Sequence, residues 1–166
     1  MNYLYSGNAG FLEGVAGRLA EAGFVRTDDV EDADAVVTFC ASQTALEDAY
    51  FDERGFVQAA RPGTVLVDLS ASTPSFAREL NAVAVVSDLV FVEAPLVVGD
   101  MMAADAFSRR ENLTCFAAGE KGDVERAWPL LEVLVGAVHE TGGSGSAQLA
   151  RAAYTLQTAA QVVSAI

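Results

Sequence analysis

An α/β fold with a Rossmann-like, doubly wound and mainly parallel sheet is what this 166-residue sequence predicts, and three observations carry it. Continuous apolar runs such as Ala35 to Phe39 and Val65 to Val67 have the composition of strands buried on both faces of a parallel sheet. Between them, apolar residues recur at helical spacing, as at Phe11, Leu12, Val15 and Leu19. The stretch VLVDLSASTP, Val65 to Pro74, ends an apolar run in an acid and opens into hydroxyl residues. That pattern reads as a strand reaching the carboxyl edge of a sheet, where open α/β sheets hold their ligands.

The elements follow in order. A strand at Tyr3 to Tyr5 leads into a helix from Gly10 to Ala22, a short extended piece at Phe24 to Arg26 and a strand at Ala35 to Phe39. A helix over Ala45 to Ala60 precedes the Val65 strand, which is bounded by Pro62-Gly63 before and Ser-Thr-Pro after. A helix at Phe76 to Val86, with Ser72 or Thr73 as its cap and Pro74 in its first turn, precedes a strand at Leu89 to Glu93. Leu113 to Ala118 reads as a strand, Asp123 to Val135 as a helix and Ala137 to Thr141 as the last strand. The glycine-rich Gly142 to Ser146 is the one flexible-looking joint. It divides residues 1–142, a dinucleotide-binding domain, from residues 143–166, a C-terminal helix. On that helix Leu149, Ala153, Leu156, Ala160 and Val163 form an apolar stripe that either docks on its own domain or pairs with a second copy in a homodimer.

A net charge of -13 with only ten Lys and Arg excludes a phosphate-tracking surface, so neither nucleic acid nor an anionic membrane is an expected partner. Met1 to Gly7 lacks a basic leader, and the most apolar stretch, Val83 to Val98, is broken by Ser87, Asp88 and Glu93. The expected location is cytoplasmic. Cys40 and Cys115 read as small core residues, and a single His139 removes multi-histidine metal chemistry, so no metal site is expected.

The turn Gly7-Asn8-Ala9-Gly10 follows a strand and opens a helix, the setting in which backbone amides receive a pyrophosphate. A G-x-G-x-x-G spelling requires glycine where Ala9 and Leu12 stand, so a plain strand-to-helix turn fits equally well. Arg26, Asp28 and Asp29 are the residues available for a ribose about 20 positions on, and Gly23 to Ala35 is too short for a full strand, helix and strand.

The sequence resembles the cofactor-binding domain of the β-hydroxyacid dehydrogenases, the family of 3-hydroxyisobutyrate and 2-hydroxy-3-oxopropionate reductases related to 6-phosphogluconate dehydrogenase. Val65 to Leu80 is similar to the family's Asp-x-Ser-Thr signature with its proline and helix. Phe91 to Gly99 is similar to the Asp-Ala-Pro-Val-Ser-Gly-Gly loop, and Leu113 to Arg151 to the last strands and glycine turn before the catalytic helix. The family's helical second domain has no counterpart in these residues.

The resemblance implies NAD or NADP held by Gly7, Asn8, Ala9, Gly10, Leu12, Phe39, Cys40, Ala41 and Ser70, with Arg26 toward a 2′-phosphate. It implies a small hydroxy acid at Val97, Val98 and Gly99, and catalytic positions at Ser70, Arg151 and Thr155. Here Arg151 and Thr155 replace the family's lysine and asparagine, Val97 and Val98 replace Ser-Gly, and Ala71 replaces a threonine. A guanidinium can bind a carboxylate but cannot shuttle a proton, and Arg151 also fits the exposed side of an amphipathic helix. Two functions therefore stand side by side. One is an oxidoreductase domain that binds its cofactor weakly and has little or no activity; the other is a non-catalytic nucleotide- or metabolite-binding or scaffolding module.

Overall fold

The apolar runs do become one sheet, and their alternation shows why it is buried on both sides. The computed structural model describes all residues from Met1 to Ile166. Strands β1 (Asn2–Gly7), β2 (Val25–Arg26), β3 (Ala35–Phe39), β4 (Val65–Asp68) and β5 (Val90–Glu93) run parallel in the spatial order β2-β1-β3-β4-β5. In β3 and β4, Ala35, Val37, Val65 and Val67 point into one core, and Val36 and Leu66 into the other. This is the two-residue period of a pleated strand with no solvent face.

Helices α1 (Ala9–Glu21) and α5 (Asp123–Leu134) bury Phe11, Val15, Leu19, Leu130 and Leu131 on the first face. Helices α2 (Gln43–Phe51) and α4 (Pro74–Val86) bury Leu46, Tyr50, Phe76 and Leu80 on the second. Full burial of each such side chain stabilises by about 2 kcal/mol. The expected helix over Ala45 to Ala60 is instead α2 followed by a four-residue turn of helix, α3 (Phe56–Ala59). The break lies at Gly55, whose amide returns to the Asp52 carbonyl (2.7 Å) and whose Cβ, if present, would sit 2.5 Å from the Tyr50 carbonyl oxygen.

The far side of the sheet departs from simple parallel winding. Pro95 separates β5 from β6 (Leu96–Val98), and both pair antiparallel with one edge of β7 (Leu113–Gly119). Strand β8 (Ala137–Gly142) lines β7's other edge in parallel. The last helix, α6 (Ser146–Ser164), buries only Ala147 and Gln148, and Leu156 and Val163 are each 71% exposed. The apolar stripe therefore does not dock on its own domain.

Between β6 and β7 the chain loops over α1, and Arg18 fastens it there. Its guanidinium donates to the carbonyls of Gly14, Phe107, Ser108, Val133 and Leu134, joining α1, the loop and the end of α5. Burial lowers the guanidinium's pKa, and the neighbouring Arg110 adds to this. Gly14 leaves room for the loop, since a Cβ would meet the Phe107 backbone at 2.8 Å. Hydrogen bonds to a charged donor contribute about 1.5–3 kcal/mol each without adding fully, so Arg18→Ala is expected to cost about 3 kcal/mol in urea unfolding. Arg18→Lys should recover only a minor part, because an ammonium cannot reach the same fork of carbonyls; equal stability of wild type and Arg18→Ala would refute the role.

Candidate functional site

At the carboxyl edge the chain passes from β1 to α1 in direct contact with the end of β3. Gly7 has φ +138°, and a Cβ there would lie 2.1 Å from the Phe39 carbonyl oxygen, so only glycine fits. The Asn8 amide donates to that same oxygen (2.9 Å), while the Asn8 Oδ1 accepts from the Phe11 amide (2.9 Å) and caps α1. The first-turn amides of Ala9 and Gly10 remain as outward donors, on residues that are both exposed. They follow Asn8, which with Ser6, Gly7, Phe39, Cys40, Ala41, Ala45 and Ala71 lines a cleft of about 580 Å³. Phe39 stacks edge-on against Phe11 (5.2 Å) and Phe107 (6.0 Å), which gives the cleft a rigid floor.

Behind the cleft lies a closed polar network. Asp68 is 1% exposed, and its Oδ1 accepts from the Ser70 amide (2.9 Å) and the Thr38 hydroxyl (3.0 Å). Thr38 also meets the Tyr50 hydroxyl at 2.9 Å. Ser70 Oγ accepts from the Cys40 amide (2.8 Å), so it ties the end of β4 to the rim of the cleft. Burial pushes the Asp68 carboxyl up to about 6 against these hydrogen bonds. Burial, then the Asp68 charge, raises the Cys40 thiol.

The neighbouring strand ends in a second buried acid. Glu93 pairs with Asp68 across β4 and β5, and its carboxylate accepts from the amides of Gly145 and, at 3.2 Å, Gln148. Helix α6 has no side-chain cap of its own, so Glu93 caps it from β5. Gln148 in turn donates to the Ser70 carbonyl (2.9 Å) and accepts from the Ser72 amide (3.0 Å). Burial also raises Glu93 to about 6, with the backbone amides of Gly145, Gln148 and Ala147 opposing and Asp68 adding. Neither role was visible in the sequence. The available signal was that Glu93, like Asp68, ends an apolar run, while α6 begins at Gly145 with nothing local to cap it.

The structure brings together Gly7, Asn8, Phe39, Cys40 and Ala41 on the cleft, with Ala9 and Gly10 beside it and Ser70 behind. Cys40, expected as core filler, is half-buried at the rim, whereas Cys115 is fully buried. Ser70 is 1% exposed with its hydroxyl engaged, and Thr73 caps α4 through the Phe76 amide (3.2 Å). The hydroxyls of Ser70 and Thr73 therefore hold the loop, whereas the Ser72 Oγ is buried without a partner. Leu12 packs half-buried against the core below the cleft. Arg26 stands opposite Tyr3, paired with Asp28 at 3.3 Å, away from the cleft. Val97 and Val98 belong to β6; Val97 lines a separate cleft of about 450 Å³ with Phe116, His139 and Tyr154. Gly99 donates to the Asn112 carbonyl (2.8 Å) at the base of the loop that follows. Arg151 is half-buried with an unpartnered Nε, and the Thr155 hydroxyl returns to the Arg151 carbonyl (2.9 Å).

A family model describing the NAD binding domain of 6-phosphogluconate dehydrogenase matches residues 11–143. The NAD-dependent L-serine dehydrogenase of Pseudomonas aeruginosa is 28% identical over 140 residues, covering 84% of this chain and 45% of its own. A probable 3-hydroxyisobutyrate dehydrogenase of Mycobacterium tuberculosis is 29% identical over 134 residues, covering 81% and 43%. The chain thus spans less than half the length of these curated relatives. Among solved structures, the Mycobacterium tuberculosis 3-hydroxyisobutyrate dehydrogenase with L-serine superposes with a TM-score of 0.85 at 21% identity, covering 98% of this chain and 62% of that one. The Myxococcus stipitatus imine reductase with NADP+ does so at 0.73 and 17%, covering 99% and 63%.

The two buried acids set a pH dependence of stability. Their folded pKa values, about 6, lie above the ordinary values of 3.8 for Asp68 and 4.5 for Glu93. The unfolded chain therefore binds fewer protons between these limits, so their contribution is complete below about pH 4 and is lost as pH rises through 6. Melting temperature is expected to be higher at pH 5 than at pH 7.5, and Asp68→Asn should flatten that slope; a parent profile flat across this range would refute the assignment.

Proposed function

This chain belongs to the β-hydroxyacid dehydrogenase family, with whose members it shares the NAD-binding domain of 6-phosphogluconate dehydrogenase, and on that premise we propose that its cleft holds the nicotinamide cofactor weakly. The observation that carries the reading is Gly7. Its positive φ and its approach to Phe39 bring the backbone and the first amides of α1 to the cleft where the strand order reverses. Ala9 and Gly10 supply amides to one phosphate, Phe39, Cys40 and Ala41 the adjoining wall, and Ser70 fixes that wall by holding the Cys40 amide. Asn8 already occupies the Phe11 amide, which leaves one helix donor fewer for a ligand.

When bound, the cofactor supplies a hydride acceptor or donor for a small 3-hydroxy acid. The residues of this chain contribute less than that reaction requires. Arg151 follows Gln148 by three residues on the face of α6 turned to the Ser70–Ser72 loop, where it can hold a carboxylate. It cannot carry the proton, and Thr155 spends its hydroxyl on its own helix. The domain is therefore proposed to bind without efficient turnover, in the cytoplasm, with residues 143–166 beginning a separate helical unit. Loss of the chemistry with retention of binding is equally the description of a nucleotide-binding scaffold, and the presence of Arg151, which cannot carry a proton, favours that second reading.

Calorimetry with NADH and NADPH is expected to give micromolar or looser affinity, on the order of -8 kcal/mol or weaker. Turnover of simple 3-hydroxy acids should be absent for the wild type and for Arg151→Lys, since general acid/base help of about 10²- to 10⁴-fold is missing and Val97 replaces a polar loop. Nanomolar binding or measurable wild-type turnover would overturn the proposal. The exposed stripe on α6 is proposed to close by pairing two copies, its 19 residues carrying a single charge, Arg151. Light scattering should show a dimer that Leu156→Glu with Val163→Glu dissociates; a wild type that stays monomeric at high concentration would exclude it.

A further inference from the structure

The cleft serves only half of a dinucleotide. A doubly wound sheet binds two nucleotides across its switch point, one over each half, with the adenosine ribose met at the end of the second strand. Here the halves are unequal. On one side of the switch point stand β3, β4 and β5 with both faces buried. On the other, β2 has two residues, is the sheet's edge, and pairs Arg26 with Tyr3. That level is four residues, roughly 13 Å, short of Gly7.

After Thr27, whose amide closes the pairing on the Tyr3 carbonyl (2.9 Å), the chain does not build a further strand or a helix over the edge. It turns through Val30–Asp32 and returns to the amino end of β1, where the Asp34 amide donates to the Asn2 carbonyl (2.9 Å). The crossing segment, residues 28 to 34, holds five carboxylates in seven positions: Asp28, Asp29, Glu31, Asp32 and Asp34. Arg26, the one cation on β2, is paired with the first of them. No residue of β2 or of this segment lines the cleft, which opens instead toward Ala45 on α2 and Ala71 after β4. An adenosine on the β2 side would find neither a strand end nor a wall level with Gly7.

We propose that this cleft is a mononucleotide half-site: it recognises the nicotinamide ribose phosphate half of the cofactor and makes no productive contact with the adenosine half. This rests on the cofactor reading above and adds to it a ligand class, a single phosphate-bearing nicotinamide nucleotide. The Ala9 and Gly10 amides meet the phosphate, and the Phe39–Ala41 wall meets the ribose and ring.

The test is a pair of titrations of the wild-type chain with reduced nicotinamide mononucleotide and with NADH, followed by calorimetry and nicotinamide fluorescence. Dissociation constants within about threefold of each other are expected, because the adenosine adds nothing. NADH binding tenfold or more tighter than the mononucleotide would overturn the half-site while leaving the cofactor reading intact. Failure of both to bind at millimolar concentration would overturn the cofactor reading and the half-site with it. Ala71→Phe, at an exposed position on the cleft wall, should weaken both ligands by at least tenfold; survival of NADH binding would place the dinucleotide elsewhere and refute the proposal. Arg26→Ala should leave NADPH binding unchanged, and a tenfold loss would count against it.

Discussion

Burial of β3, β4 and β5 on both faces is the constraint from which the rest of this structure follows. Strands without a solvent face end in polar residues that water does not reach, and each of those must find a protein partner. Thr38, Asp68, Ser70 and Glu93 are all buried at that edge. Thr38, Asp68 and Ser70 answer one another in a single chain of contacts: Tyr50 to Thr38, Thr38 to Asp68, Asp68 to the Ser70 amide, Ser70 to Cys40. The Thr38 and Ser70 hydroxyls are spent within this network, whereas the Ser72 Oγ of the same loop is buried with no partner.

The same constraint orients the last helix. Glu93 satisfies its carboxylate on the amides at the start of α6, and Gln148 clasps the loop at Ser70 and Ser72. One turn of α6 is therefore fixed to the sheet and the remaining turns project from it, carrying Leu156 and Val163 into solvent. The positive φ values of Gly142 (+127°) and Gly145 (+92°) make the bend that this geometry needs. The cleft and the root of α6 are two ends of one hydrogen-bonded assembly, although they lie on different strands.

Where the sequence misled, contacts that spacing does not reveal were the reason. The stretch over Ala45 to Ala60 has helical composition, yet it breaks locally where Gly55 must pass the Tyr50 carbonyl. Arg26 lies about 20 residues after Gly7, at the spacing of a ribose contact, but the register of β2 leaves it level with Tyr3. Leu12 and Val97 match binding positions in a family pattern while packing on the core and on a second cleft respectively. Gly14, which looked unremarkable, is where the Phe107 loop comes closest to α1.

By itself the sequence determined the alternation of strands and helices, the buried parallel runs, the glycine turn after β1 and the family pattern, because each is written in local spacing and composition. It also determined that proton transfer at Arg151 is unavailable, since that follows from the chemistry of one side chain. The tertiary structure decided which polar groups are free and which are spent, which arginine staples a loop, and what caps α6. Those depend on partners far apart in the chain, such as Glu93 with Gly145 or Arg18 with Leu134, that come together only when the sheet closes.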